Sequence, residues 1–265
     1  MTYSDKGKKV TDLDLNVFTN FSSNRVDQLP ICRTLQSFGT VFGFGAFSNI
    51  RVFCHAAPLS IPFDAVHESV LRAVPGRIVE LHSTRSLVDG YVRSLELSRA
   101  EVVFQLEHDY LFDTNRIGHS VFDIAKAMRT ACIPYLRFNI GPNRDNELDR
   151  VSPIDMAGIP ACKTVIFSNR PHLLDRAYAL QHYVPRMNQA GRGCRGIEKE
   201  LTEAIGTGWI YGPVDHPPAI LHIDGHNALR EWRRQHLSHR LLEFISRNVK
   251  LVRDHFGLGH YGRIR

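Results

Sequence analysis

Glu107, His108 and Asp109 stand in a row directly after the apolar run AEVVFQL. Two carboxylates one residue apart can turn oxygens toward the same hard divalent cation, Mg2+ or Mn2+, and such a cation would also grip a diphosphate. A second group, HIDGHN at 222–227, follows the apolar PPAIL. Alternation along a strand puts His222 and Asp224 on one face, and an imidazole suits Mn2+ as a further ligand. The spacing fits a β-turn on Asp224-Gly225 equally well. Glu198 follows the glycine-rich GRGCRG and opens a helix, where the N-terminal dipole favours a carboxylate. Asn169, Arg170 and His172 lie between a strand and a helix whose first residue would be Pro171.

The elements that must position these residues alternate in type. DLNVFTNF reads as a strand and VDQLPICRTLQSF as a helix with apolar positions at Leu29, Cys32, Leu35 and Phe38. NIRVFCHAAPLS is a second strand, FDAVHESVLRAV a helix stopped by Pro75-Gly76, RIVELHST a third strand and SLVDGYVRSLELS a helix. AEVVFQLEHDYLF is a fourth strand, followed by the helix VFDIAKAMRTAC, the strand IPYLRFNI and KTVIFSNRPHLLDRAYALQHYV, a strand turning into a helix. Such alternation predicts an α/β fold with a mostly parallel central sheet flanked by helices. In open sheets of this kind ligands bind outside the carboxyl ends of the strands, which is where Glu107 to Asp109 fall. Residues 141–160 read as a long loop, and 143–155 and 191–196 as segments that could close over a ligand.

Composition narrows the classes. The chain has 265 residues, 43% of them apolar and 23% charged, enough for a sizeable core. The start MTYSDKGKKV lacks the apolar stretch of a secretory leader and no run of 18 apolar residues occurs, so a cytoplasmic location is expected. Five scattered cysteines without a CxxC pair read as thiols in a reducing compartment. No P-loop, GxGxxG, GxSxG or HExxH motif is present, and the 14 histidines show no zinc spacing. The net charge of +6 leaves nucleic acid, anionic lipid or a phosphorylated ligand as partners. Much of the excess is C-terminal. There Leu237, Leu241, Ile245, Val249 and Val252 share one helical face while Arg233, Arg240, Arg247, Lys250 and Arg253 surround it. A catalytic domain over 1–228 and a basic helical extension over 229–265 are therefore expected, the extension either packing on the domain or resting on the inner face of a membrane.

An acidic triplet ending a strand, preceded by the helix SLVDGYVRSLELSRA, resembles the nucleotide-sugar-dependent glycosyltransferases of the GT-A fold (family 2-like), over roughly 15–225. The resemblance implies a Rossmann-like sheet, a Mn2+ or Mg2+ cofactor, a nucleoside-diphosphate sugar donor and a glycan or lipid-linked acceptor. Glu107 stands where the family usually has Asp, which makes Asp109 the firmer metal ligand and leaves Glu107 as a ligand or a supporting and ribose contact. His222 corresponds to a late histidine ligand. The base and ribose of the donor would be held by Thr19, Asn20, Asn24 and Arg25 and by Ser83, Thr84, Arg85 and Asp89, with Glu107 and His108 beside the diphosphate. An inverting transferase needs a base for the acceptor hydroxyl, and Glu198 occupies the matching helix start, with Glu200 and Asp224 left open. A nucleotidyltransferase or sugar-nucleotide hydrolase would use the same acidic ligands, and a nucleic-acid-binding module would account for the charge, although no such motif is present.

Overall fold

The computed structural model describes residues 12–20, 30–55, 63–147, 149–190, 198, 201–202 and 206–223. Every described element lies within the first of the two units into which the chain divides, residues 1–222. The boundary expected at 228, the basic extension, Asn24, Arg25, Cys194, Glu200 and Asp224 all lie outside the described residues.

The first half is built of parallel β-α units. Strand β1 (Leu13–Asn20) leads to α1 (Pro30–Phe42), β2 (Asn49–His55), α2 (Phe63–Ala73), β3 (Val79–Thr84), α3 (Leu87–Leu97) and β4 (Val102–Glu107). Then follow β5 (Tyr110–Phe112), α4 (Val121–Thr130), β6 (Tyr135–Arg137), β7 (Ser152–Met156), β8 (Ile159–Thr164), β9 (His172–Asp175), α5 (Arg176–His182), α6 (Val184–Ala190), β10 (Gly208–Tyr211) and β11 (Ile220–His222). Nine strands form one sheet in the order β3-β2-β1-β4-β9-β6-β10-β8-β7, while β5 and β11 pair separately. Strands β3, β2, β1 and β4 run parallel, and β9 enters antiparallel to both β4 and β6. The sheet is therefore mixed, more so than the mostly parallel sheet expected.

Burial on both faces explains the near-continuous apolar strands. Leu13, Leu15 and Val17 of β1 pack toward α1 and α2, while Phe18 faces the other side with Phe53 and Tyr91. Two buried polar residues of β1 find partners: Asp14 accepts from Arg51, Asn49 and the Arg99 amide, and Asn16 donates through Nδ2 to Ser98. Among the described residues no helix is long and apolar enough to cross a membrane. Cys32, Cys54, Cys132 and Cys162 are free thiols.

Three expectations change. The fourth strand does not run through to Phe112. It ends at Glu107, and His108-Asp109 turn the chain into the separate strand β5. The segment 163–184 carries two strand ends, β8 closing at Thr164 and β9 starting at His172. The stretch 141–160 is not a free loop. It contains β7 and the start of β8, a hairpin whose turn sets Ala157 at φ 48° and Gly158 at φ 92°, the doubly positive pattern of a tight hairpin turn. Asn143, 1% exposed, donates to the carbonyls of Tyr211, Gly212 and Pro213. Asp149 is buried against Arg137 at 2.9 Å and also takes the Thr164 hydroxyl and the Val165 amide. Asn143 and Asp149 thus anchor this segment to β6, β8 and residues 211–213.

Candidate functional site

The order of strands reverses beside β1: β2 and β3 lie on one side of it, β4 on the other. The carboxyl ends of the strands on either side of such a reversal leave a crevice, because their outgoing connections part in opposite directions. A cleft of about 190 Å³ opens there, lined by Phe18, Thr19, Phe53, Thr84, Leu87, Glu107, His108 and Asp109. Its apolar wall is the stack of Phe18 on Phe53, with ring centres 5.6 Å apart.

The turn at His108-Asp109 and the antiparallel pairing of β11 on β5 bring the two sequence signatures together. His222 pairs opposite Tyr110, so its ring packs 4.9 Å from the Tyr110 ring. From there His222 Nε2 meets Asp109 Oδ2 at 2.6 Å. The other oxygen, Asp109 Oδ1, is buried without a hydrogen-bond partner. An orphaned carboxylate oxygen beside an imidazole fits a divalent cation in both donor type and unmet bonding capacity. Among the described residues no three His, Cys, Asp or Glu side chains form a ready cage, so diphosphate oxygens and water would have to complete the shell, as is usual for Mg2+ bound with a nucleotide.

Glu107 has a different neighbourhood. Its Oε1 accepts from the Asn169 side-chain amide. Burial, aided by the charges of Asp109 and Glu198 and opposed by the Asn169 bond, pushes its carboxyl up to about 8. Burial beside a second carboxylate thus favours its neutral form as long as no cation is bound. Glu198 itself comes from the far part of the chain and docks on the 168–170 turn, where its Oε1 accepts from Ser168 Oγ at 2.6 Å and from the Asn169 amide at 3.1 Å. Asn169 thus joins Glu107 through its side chain and Glu198 through its backbone. Glu198 is helical and exposed.

The residues expected near the donor separate into groups. Thr19 and His108 line the cleft. Asn20 ends β1 at the same rim. Ser83 and Arg85 are exposed on either side of Thr84, and it is Thr84 that faces the cleft. Asp89 sits 4% exposed in the first turn of α3, where its carboxylate accepts the Arg85 amide while Ser86 Oγ accepts the Asp89 amide. That reciprocal arrangement is a helix cap, a local task for Asp89. Sequence reasoning missed Ser168, Tyr110 and the aromatic wall. Ser168 is adjacent to the polar Asn169-Arg170 pair, which was its only signal.

No family model and no curated protein matches the sequence. Two solved structures share the fold: GalNAc-T7 with UDP, GalNAc and Mn2+, at a TM-score of 0.57 and 9% identity over 82% of this chain, and S. aureus TarS 1-349, at 0.50 and 11% over 81%. Both are GT-A glycosyltransferases, so the described domain has the GT-A fold. The chain spans 44% and 61% of those two structures, respectively.

Proposed function

We propose that this protein is a GT-A glycosyltransferase that takes a sugar from a nucleoside diphosphate, assisted by Mn2+ or Mg2+, and passes it with inversion to a glycan or lipid-linked hydroxyl. The observation that carries the reading is the meeting of Asp109, with its orphaned Oδ1, and His222 at the rim of the switch-point cleft. The shared fold with a structure holding UDP and Mn2+ supports it.

On this reading the nucleoside enters the cleft between Thr19, Thr84 and the Phe18-Phe53 wall, and Asp109 and His222 hold the cation. A cation there supplies charge stabilisation for the departing diphosphate. Glu198 stands ready to take the proton of the acceptor hydroxyl as its oxygen attacks the anomeric carbon. Its Oε1 is occupied by Ser168 and Asn169, which fixes the carboxylate, so Oε2 is the oxygen left for the proton. Glu107, tied to Asn169, would stand beside Asp109 as a further carboxylate for the cation or as a ribose contact. The catalytic unit is the described domain within 1–228, and the basic segment 229–265 is read as its accessory.

The test is a thermal-shift panel of UDP, GDP, CDP and dTDP, with and without Mn2+, because a ligand that binds only the folded state raises its melting point. The reading predicts a Mn2+-dependent rise with one of the four. No rise with any nucleotide would sink it. Product analysis with the matching sugar nucleotide should then show release of the diphosphate with the sugar on an acceptor; hydrolysis without transfer would instead favour a sugar-nucleotide hydrolase, and pyrophosphate released from a nucleoside triphosphate and a sugar phosphate would identify a nucleotidyltransferase.

A further inference from the structure

Arg170 carries a partly buried guanidinium that forms no ion pair among the described residues. It offers five N–H donors, yet among the described residues its side chain has one hydrogen bond, from Nη1 to Asn139 Oδ1 at 2.6 Å. Among the described residues no carboxylate reaches it within salt-bridge distance. Burial, together with the nearby charge of Arg137, lowers its hold on its proton. Arg137 adds no relief, because its own charge is matched by Asp149. Leaving a half-buried cation unpaired costs stability, and a fold keeps such a group where a ligand supplies the missing charge.

The backbone shows that this position is built. The Arg170 carbonyl accepts from His172 Nδ1 at 2.7 Å, its amide contacts Ser168 Oγ, and the Pro171 carbonyl takes the Phe138 amide. On the side-chain end, Asn139 donates its amide to Asn143 Oδ1, and Asn143 is pinned in turn to the carbonyls of 211–213. The guanidinium is therefore oriented through Asn139, which is itself held by Asn143. Its nearest electrostatic neighbours besides Arg137 are Tyr110, Glu198 and Tyr135. It thus lies on the Glu198 side of the site, on the β9–β6 half of the sheet, across Glu107 and Asp109 from the cleft lined by Phe18, Thr19 and Thr84. Glu198 is the one carboxylate among these neighbours; it acts on Arg170 through space without forming an ion pair, and its Oε1 is held by Ser168 and Asn169.

We propose that Arg170 is the seat of an oxyanion, phosphate or carboxylate, carried by the acceptor. The assignment to the acceptor rests on the glycosyltransferase reading, since it takes Glu198 as the group facing the attacking hydroxyl. The planar guanidinium pairs with an oxyanion through two parallel N–H bonds, a geometry a lysine cannot reproduce. The acceptor is then an anionic molecule, and Arg170 places its hydroxyl beside Glu198 by holding a charged group a short distance along it.

Calorimetric titration of the full-length protein with inorganic phosphate, and separately with acetate, tests this, alone and in the presence of Mn2+ and whichever nucleoside diphosphate binds. Arg170→Gln should weaken binding of one of the two anions at least ~10-fold, in line with the 1.5–3 kcal/mol typical of a hydrogen bond to a charged group. Arg170→Lys, which keeps the charge and serves as the folded control, should restore part of it. The anion should still bind with the nucleotide in place. Equal anion affinity in wild type and Arg170→Gln, or no anion binding to wild type, overturns the proposal. Loss of nucleoside-diphosphate affinity in Arg170→Gln, with phosphate displaced by the nucleotide, overturns the acceptor assignment and gives Arg170 to the donor. Failure of the glycosyltransferase reading shows separately, as absence of nucleotide binding to the wild type while the Arg170-dependent anion still binds.

Discussion

His222 and Asp109, separated by 113 residues, face each other at 2.6 Å between Nε2 and Oδ2 because β11 pairs antiparallel with β5. Asp109 closes the turn that precedes β5, and His222 lies opposite Tyr110 at the adjoining register position. The two-stranded β5–β11 ribbon is thus the device that closes the candidate metal site.

Asp109→Asn should remove Mn2+-dependent nucleotide binding and leave the fold intact. The residue lies in a turn rather than in the apolar core, and its Oδ1 makes no hydrogen bond that the amide would lose. Calorimetry of a variant with wild-type melting behaviour checks it. Unchanged Mn2+-dependent affinity would take Asp109 out of the site.

Glu198→Gln should lower turnover by about 10² to 10⁴ with donor affinity nearly unchanged, since the amide keeps the bonds from Ser168 and Asn169 but cannot take a proton. Single-turnover kinetics at saturating donor give the number. A variant that keeps most of its rate would pass the role to Glu200 or Asp224.

His172 should make the protein acid-labile. It is fully buried between Tyr91, whose hydroxyl is 2.8 Å from Nε2, and the Arg170 carbonyl, and burial pushes its pKa down to about 4. The unfolded chain binds this proton from about pH 6.5 downward and the folded one only near 4. In that window the unfolded state therefore carries more protons, and stability falls as pH is lowered, by at most about 1.4 kcal/mol per pH unit from this group. Urea titrations between pH 7 and 4 should show the slope, and His172→Gln should flatten it while lowering stability at pH 7. An unaltered slope in the variant would assign the effect to other groups.

Asp149→Ala should destabilise the fold by about 3–5 kcal/mol, because it strands the Arg137 guanidinium, 4% exposed, without its partner. The same change would also loosen the 141–151 connection, since Asp149 is one of its anchors. Denaturant unfolding measures the loss: a stability change below about 1 kcal/mol would show that the Arg137–Asp149 pair is not what holds the segment.

Much of the architecture was legible in the order of residues. Apolar runs such as NIRVFCH and EVVFQLE, alternating with helices of 3.6-residue periodicity, specify β-α units, since strands buried on both faces must be apolar throughout. Their carboxyl ends located Thr19 and the 107–109 triplet on the cleft rim. What the sequence could not reveal was decided by pairing across long separations. The hairpin of β7 and β8 was hidden because Pro153, Asp155 and Pro160 are turn-forming residues that only pairing of the two strands converts to strand. The entry of β9 antiparallel between β4 and β6 carries Asn169 to Glu107 and sets Arg170 on the Glu198 side of the site, without an ion pair among the described residues. Local spacing determines which side chains share a face of one element; which faces meet depends on the burial of the whole sheet, and only that tertiary choice made neighbours of Asp109, His222, Glu198 and Arg170.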